Sequence, residues 1–358
     1  MEERLKTLAV LLPEEADAAL IISGENRRYY TNFISSLGYL LVTREKSWLF
    51  VDSRYEEAAR AQAKGCEVVL FRKLRNALGD CLKSHGLKRI LLEGSAFTLN
   101  SAAEMDELLE SVGAVSIKSR RLDEIISSMR IIKTADEIEK MRKAQRITEN
   151  ALNETMKLIK EGVSELDLSL DLEFRMRRAG AESVSFDLIV LTGTTTSMPH
   201  GVPSERKVKN GDFVLFDIGA TVDGYHSDMT RTVVCGKADS MMKRVYQTVL
   251  QAQQNGLAAV RSGATCGEVD FAARSTIDQA GFGEYFGHST GHGVGLEIHE
   301  APSVSPESAF VLQSGMVVTV EPGIYLPGKF GVRIEDMVAV TGDGCINLAV
   351  QPKELIEL

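Results

Sequence analysis

The stretches FVLFDIGATVDGYHSDMTRTVV, residues 213–234, and VVTVEPGIYLPGKFGVRIEDMVAV, residues 317–340, decide how this chain is read. Each is an apolar strand-like run that ends on an acid, passes a turn signal and returns with a second acid. In the first, Asp217 closes the run and Asp223-Gly224 is a strong hairpin signal. A turn near residues 222–224 then folds Asp228 back towards Asp217. The turn type is left open, and with it a two-residue shift or a bulge. In the second, Pro322 holds Glu321 extended and Pro327-Gly328 marks a turn. Residue 328 is midway between Glu321 and Glu335, so a hairpin there sets the two glutamates opposite each other. Like charges facing across a sheet repel unless a cation lies between them. Carboxylates at the edge of a core are costly without compensation. Taken singly, Asp217 also reads as a turn cap, and Asp228 and Glu335 as exposed charges. Taken together, four acids ask for cations.

A third stretch, GHSTGHGVGLEIHE at 287–300, supplies His288, His292 and His299 in a glycine-rich setting. Its glycines permit unusual backbone angles and close approach to a ligand. The run does not match the dinucleotide-binding GxGxxG, and the i, i+4 histidines lack the glutamate of the zincin motif. SMPHGVPSERK at 197–207 places His200 in a loop between strands. Hard oxygen donors with one imidazole suit Mn²⁺, Co²⁺ or Zn²⁺ better than a cysteine-rich structural zinc site. Two such ions roughly 3.5–4 Å apart polarise a carbonyl, which is machinery for hydrolysis.

The rest of the chain frames this constellation. At 358 residues it has room for two domains. The net charge of −9, with lysines and arginines scattered, argues against a nucleic-acid partner and against a membrane-surface patch. The acids and Pro13 that interrupt MEERLKTLAVLLPEEADAALII make it neither a leader peptide nor a spanning helix. Cys66, Cys81, Cys235, Cys266 and Cys345 form no CxxC pair and read as small buried hydrophobes of a reducing, cytoplasmic setting. Residues 1–122 alternate strand runs (AALIIS, YLLVT, SWLFVD, EVVLF, KRILLEG, AVSIKS) with helical patterns, an α/β domain without evident chemistry. His85 sits at a helix end, where it suits the dipole. From residue 123 onward an α+β domain is expected. A long helix opens on the Thr134/Glu137 capping box, with Ile138, Met141, Ile147, Leu152 and Leu158 on helical spacing, and a second starts at Ser164. Two further helices lie at about 240–261 and 265–280, so that 134–234 and 240–340 read as parallel helix-then-hairpin halves.

The motifs FDIGATVDGYHSDMTRT, GHSTGHGVGLEIHE, VEPGIY and GVRIED, in this order, resemble the pita-bread metallopeptidases, the group of methionine aminopeptidase, aminopeptidase P and prolidase. The small α/β domain ahead of them resembles the proline-specific branch. The resemblance implies an α/β N-terminal domain followed by a pita-bread (creatinase/aminopeptidase-like) catalytic domain. It implies a dinuclear centre of Mn²⁺, Co²⁺ or Zn²⁺ on Asp217, Asp228, His292, Glu321 and Glu335, with Asp228 and Glu335 shared between the ions. Glu321 would also shuttle a proton. His200 and His299 would hold substrate and the developing oxyanion, His288 would lie near the proline ring, and Arg333 would steady a carboxylate or the substrate end. The implied reaction is hydrolysis of Xaa-Pro bonds in small peptides with proline second, by a homodimer acting as dipeptidase or aminopeptidase. Creatinase-like relatives share the fold but lack this ligand set. TGTTTSMPHG keeps the histidine and departs from the SGPNSSLPHG-like run of many relatives. Two other readings are a catalytically silent binding protein on the same fold and a hydrolase of a non-peptide C–N bond.

Overall fold

A computed structural model describes residues 2–358, which divide into two compact units between Arg130 and Ile131. In the first unit, α1 (Glu2–Leu11) precedes β1 (Ala18–Ile21), α2 (Gly24–Thr31), β2 (Tyr39–Thr43) and β3 (Ser47–Val51). Then follow α3 (Glu56–Gln62), β4 (Glu67–Leu70), α4 (Leu74–Ser84), β5 (Arg89–Leu92), α5 (Leu99–Glu110), β6 (Val115–Ile117) and α6 (Arg121–Arg130). The strands form one mixed sheet in the order β4-β3-β2-β1-β5-β6. Its apolar runs make the core: Leu20, Leu41, Phe50 and Ile90 are fully buried beneath Leu78 and Leu82 of α4 and Leu109 of α5. All six expected strands are present. His85 caps α4, and its Nδ1 donates to the Cys81 carbonyl at 2.9 Å. The short helices α1, α2 and α6 are additions to the sequence reading; α6 buries Leu122, Ile125 and Ile126 on one face, a helical spacing at the junction of the two units.

The second unit is built from two similar halves. The first half holds α7 (Ala135–Met156), α8 (Glu165–Arg178), β7 (Ser183–Val184), β8 (Ile189–Thr192), β9 (Phe213–Ile218), β10 (Ala220–Val222), β11 (Tyr225–His226) and β12 (Met229–Val234). The second holds α9 (Ser240–Ala259), α10 (Cys266–Gln279), β13 (Gly291–Gly293), β14 (Glu300–Val304), β15 (Val317–Val320), β16 (Gly323–Leu326), β17 (Phe330–Arg333), β18 (Asp336–Val340) and β19 (Cys345–Asn347). Capping boxes at Thr134/Glu137, Ser164/Asp167 and Thr265/Glu268 start α7, α8 and α10 by satisfying their free N–H groups. Helix α7 stops at Met156, so Leu158 lies in the following turn and is exposed, against the periodicity that put it on the buried face.

Particular bonds show the likeness of the halves. Val208 N donates to Val163 O, and Leu312 N to Ala264 O, both at 2.8 Å. Ser164 bridges Lys207, and Thr265 bridges Val311. Gly211 (φ +88°) and Gly315 (φ +90°) make the turns into β9 and β15, and Asp217 and Glu321 each follow six residues later. The two central hairpins keep one register throughout. In the first, Val222↔Tyr225 and Ile218↔Met229 share it, and Asp223 (φ +49°) with Gly224 (φ +80°) forms the turn. Two positive φ values mark the type I′ turn, whose twist suits a two-residue hairpin. In the second, Val320↔Asp336 in β15–β18 and Gly323↔Arg333 in β16–β17 lie on one register.

Strand β13 runs between β14 and β15 and needs its glycines for close strand approach rather than for unusual φ. A Cβ at Gly291 would lie 2.0 Å from the Thr319 carbonyl oxygen, and one at Gly293 2.2 Å from that of Ala301. The close approach at these two glycines is to neighbouring strands, and Gly291 also lines the cavity described below. Gly293→Ala should therefore destabilise the fold by about 1–3 kcal/mol, since neighbouring backbone rather than a flexible side chain must move. Chemical denaturation of the variant against the parent measures this.

Candidate active site

The hairpin registers place the acids. Asp217 pairs with Thr230, so Asp228 stands one step past Met229↔Ile218 and shares the face of Asp217 diagonally. Of the alternatives open at sequence level, the structure takes the unshifted two-residue turn. Glu321 and Glu335 fall in the gap between the β15–β18 and β16–β17 ladders, where the common register sets them opposite each other. The two hairpins are joined at this level: Glu335 N donates to Thr230 O at 3.2 Å, and Thr232 Oγ1 to Arg333 O at 3.0 Å. Strand β13 lies against β15, with His292 N donating to Thr319 Oγ1 at 3.0 Å and Glu321 N to Thr290 O at 2.8 Å.

One cavity of ≈ 680 Å³ collects the whole set: Asp217, Asp228, His292, Glu321 and Glu335, together with His200, His288, His299 and Arg333. Ligand atoms of Asp228, His292 and Glu335 all lie within 4.8 Å of one another. His292 Nε2 is 3.5 Å from both Asp228 Oδ2 and Glu321 Oε1. Its Nδ1 donates to Gly293 O at 3.0 Å, which fixes the ring and turns the Nε2 lone pair towards the carboxylates. His299 packs edge-on against His292, ring centroids 4.4 Å apart. His200 and His299 are exposed at the cavity wall.

Arg333 is 3% exposed and is spent on protein groups. It pairs with Asp217, donates from Nε to Thr230 Oγ1 at 3.1 Å, and from Nη1 to Tyr325 Oη at 2.7 Å. Of its two expected roles, steadying a carboxylate is the one this geometry displays. Tyr325 in turn donates to His288 Nε2 at 3.0 Å, because His288 Nδ1 already donates to Ser289 O at 2.7 Å. His288 is further held by Arg274, whose Nη2 donates to its carbonyl at 2.8 Å while pairing with buried Asp270.

The electrostatics are those of anions short of partners. Burial pushes the Glu321 carboxyl up to about 8, with Arg333 opposing and Asp217 adding to the rise. Burial, then repulsion by Asp217 and Glu321, raises Asp228 well above the carboxylate range. Glu335, 1% exposed, is raised in the same way by burial and by Asp228. Burial lowers His292 to about 4, so its imidazole is neutral and free to donate a lone pair at pH 7. Four oxygen donors and one oriented neutral imidazole around a cavity form a donor set that fits divalent cations.

A model of metallopeptidase family M24 matches residues 139–342, more than half of the chain. The chain belongs to this family. A model of the creatinase/prolidase N-terminal domain matches residues 4–132. The Xaa-Pro dipeptidase of Pyrococcus horikoshii is 37% identical over 361 residues, 99% of each chain. Among solved structures, an Xaa-Pro dipeptidase from Bacillus anthracis matches with a TM-score of 0.95 at 40% identity, covering 99% of both chains. An X-Pro aminopeptidase from Thermotoga maritima matches with a TM-score of 0.91 at 34% identity, covering 99% of this chain and all of the other. The M24 unit thus has the pita-bread architecture, preceded by a creatinase-type N-terminal domain. Enzymes of this metallopeptidase family use divalent metals, and the Asp228–His292–Glu335 group is a place where such an ion fits. No helix among the described residues is long and apolar enough to cross a membrane.

Several supporting residues escape the sequence reading: Thr230, which donates to Glu335 Oε2 at 2.7 Å, Thr319, which donates to Glu321 Oε1 at 3.3 Å, and Tyr325. Strand alternation from the acids points to the first two, since Thr230 is two residues from Asp228 and Thr319 two from Glu321. Arg231 and Asp336, the register-equivalent residues after Thr230 and Glu335, form a buried pair at 2.7 Å. Burial opposes charge on Asp336, but Arg231 and Lys353 hold its carboxyl below the usual range.

Two outcomes follow from this site. A carboxyl raised by folding stabilises below its unfolded value and loses that contribution as pH rises through the folded one, here from about 4.5 through about 8 for Glu321. His292 acts in the opposite sense, but only below about 6.5. Chelator-stripped protein should therefore melt several degrees lower at pH 8.5 than at pH 6.5, and Mn²⁺ should abolish the difference; calorimetry at the two pH values measures both. Thr230→Val keeps the shape but removes the hydroxyl between Glu335 and Arg333. It should weaken divalent-ion binding roughly 10–100-fold, as loss of groups that orient ligands does, measured by titration calorimetry.

Proposed function

We propose that this M24 peptidase hydrolyses the bond between an N-terminal residue and proline, with two divalent ions held by Asp217, Asp228, His292, Glu321 and Glu335. Mn²⁺ or Co²⁺ is the expected pair, with Zn²⁺ also suited to the donors. The observation that carries the reading is the buried convergence of acids, raised by burial and mutual repulsion, with an oriented His292 in one cavity. The relatives named Xaa-Pro dipeptidase and X-Pro aminopeptidase over nearly the whole chain point to the substrate class.

Bound divalent cations would supply Lewis acidity towards the scissile carbonyl and lower the pKa of water. The protein's own residues do the rest. Glu321 lies at the cavity, placed to take a proton from water and return it to the prolyl nitrogen, which has no N–H of its own. His299 and His200 stand at the wall as donors for charge developing on the carbonyl oxygen. Arg333 fixes Asp217, and the Tyr325–His288 pair fixes the side of the cavity that would meet the proline ring. We also expect a homodimer, testable by light scattering, and a cytoplasmic location consistent with five unpaired cysteines.

Asp228→Asn should lower bound metal and abolish Xaa-Pro turnover while leaving the circular dichroism unchanged. Full turnover in the variant, or in chelated parent enzyme, would refute the reading.

A further inference from the structure

Resting on the Xaa-Pro reading, we infer that this cavity takes peptides in which proline is followed by a neutral group, as in Xaa-Pro-Yaa, and disfavours free Xaa-Pro dipeptides. In a dipeptide the terminal carboxylate sits on the proline itself, next to the scissile bond, and must enter the cavity with it. A carboxylate removed from water needs a cation or several donors, and arginine is the side chain whose fork fits it best.

The cavity offers no free lysine or arginine for it among the described residues, and its exposed donors, His200 and His299, are the ones assigned above to the scissile carbonyl. Arg333 is the only lysine or arginine lining it. Its guanidinium is buried, and its donors are taken by Thr230 Oγ1 (3.1 Å), Tyr325 Oη (2.7 Å), Pro199 O (3.5 Å) and Asp217. Four of the five N–H groups of an arginine are thereby committed, and no fork remains for a ligand. His288 is equally engaged, with Nδ1 on Ser289 O and Nε2 on Tyr325 Oη. The remaining ionisable side chains at the wall besides the histidines are acids, of the wrong sign: beyond Asp217, Asp228, Glu321 and Glu335, Asp187 is exposed between Phe186 and Leu188 and makes no hydrogen bond or ion pair among the described residues. It favours an ammonium group and repels a carboxylate.

Replacing the prolyl carboxylate by a peptide bond removes the charge and carries the terminus about 3.5 Å further out per residue. A cavity of ≈ 680 Å³ has room for it, being in the range of sites that enclose drug-sized ligands.

The test compares kcat/KM of the Mn²⁺-loaded full-length enzyme for Leu-Pro, Leu-Pro-NH₂ and Leu-Pro-Gly at one pH. Amide and tripeptide should be cleaved with similar efficiency, each about tenfold or more above the dipeptide, the loss of one charge-assisted contact, and mainly through KM. A dipeptide cleaved as well as the amide would overturn the inference. So would a tripeptide advantage that the amide does not share, because length rather than charge would then decide. Cleavage of none of the three would overturn the Xaa-Pro reading itself, and this inference with it.

Discussion

Everything in the second unit is arranged around the repulsion among acids held out of water. Asp228 and Glu335 are almost wholly buried, and Glu321 stands beside them. Alone, such a group of carboxylates resists ionisation and opposes the fold that assembles it. Arg333 answers part of the charge by taking Asp217. The remainder is a standing demand for cations, which a family of metallopeptidases meets with divalent metals. The same electrostatics that would destabilise the protein without ions thus hold its reactive groups in readiness for them.

That concentration of charge is tolerable only because the surrounding backbone is rigid and its polar groups are paired. Beneath the site, Arg231 donates to the carbonyls of Thr230, Glu335 and Gln351 and pairs with Asp336. Asp336 is closed off by Lys353 at 2.6 Å, Asn347 at 2.8 Å and Gln253 at 3.1 Å. These bonds tie the last segment of the chain to both hairpins. They fix the strand positions from which the acids project, which is where precision in a metal site originates.

The likeness of the two halves explains why the site lies where it does. Both hairpins place an acid six residues after a left-handed glycine, and their second strands meet through Thr230–Glu335 and Arg231–Asp336. The cavity lined by the acids forms where the paired motifs face each other. The halves differ at register-equivalent positions: Asp228 in the first hairpin corresponds to Arg333 in the second, an acid against the cation that restrains Asp217.

Local chemistry makes much of this protein legible in its sequence. The strands of the first unit, the capped helices, the Asp223-Gly224 turn and the Glu321–Glu335 pairing depend on neighbours in the chain, and alternation, capping residues and turn residues report such dependence directly. Contacts between distant segments leave no such trace. The use of Gly291 and Gly293 for strand approach, the commitment of Arg333 to Asp217 rather than to a ligand, and the Arg231–Asp336–Lys353 network join residues many positions apart. The sequence by itself determined which side chains could bind metal and which elements carry them, because type and spacing are local properties. Only the tertiary structure decided which charges are already satisfied and which face the cavity, because pairing between remote strands is set by packing and register across the whole unit.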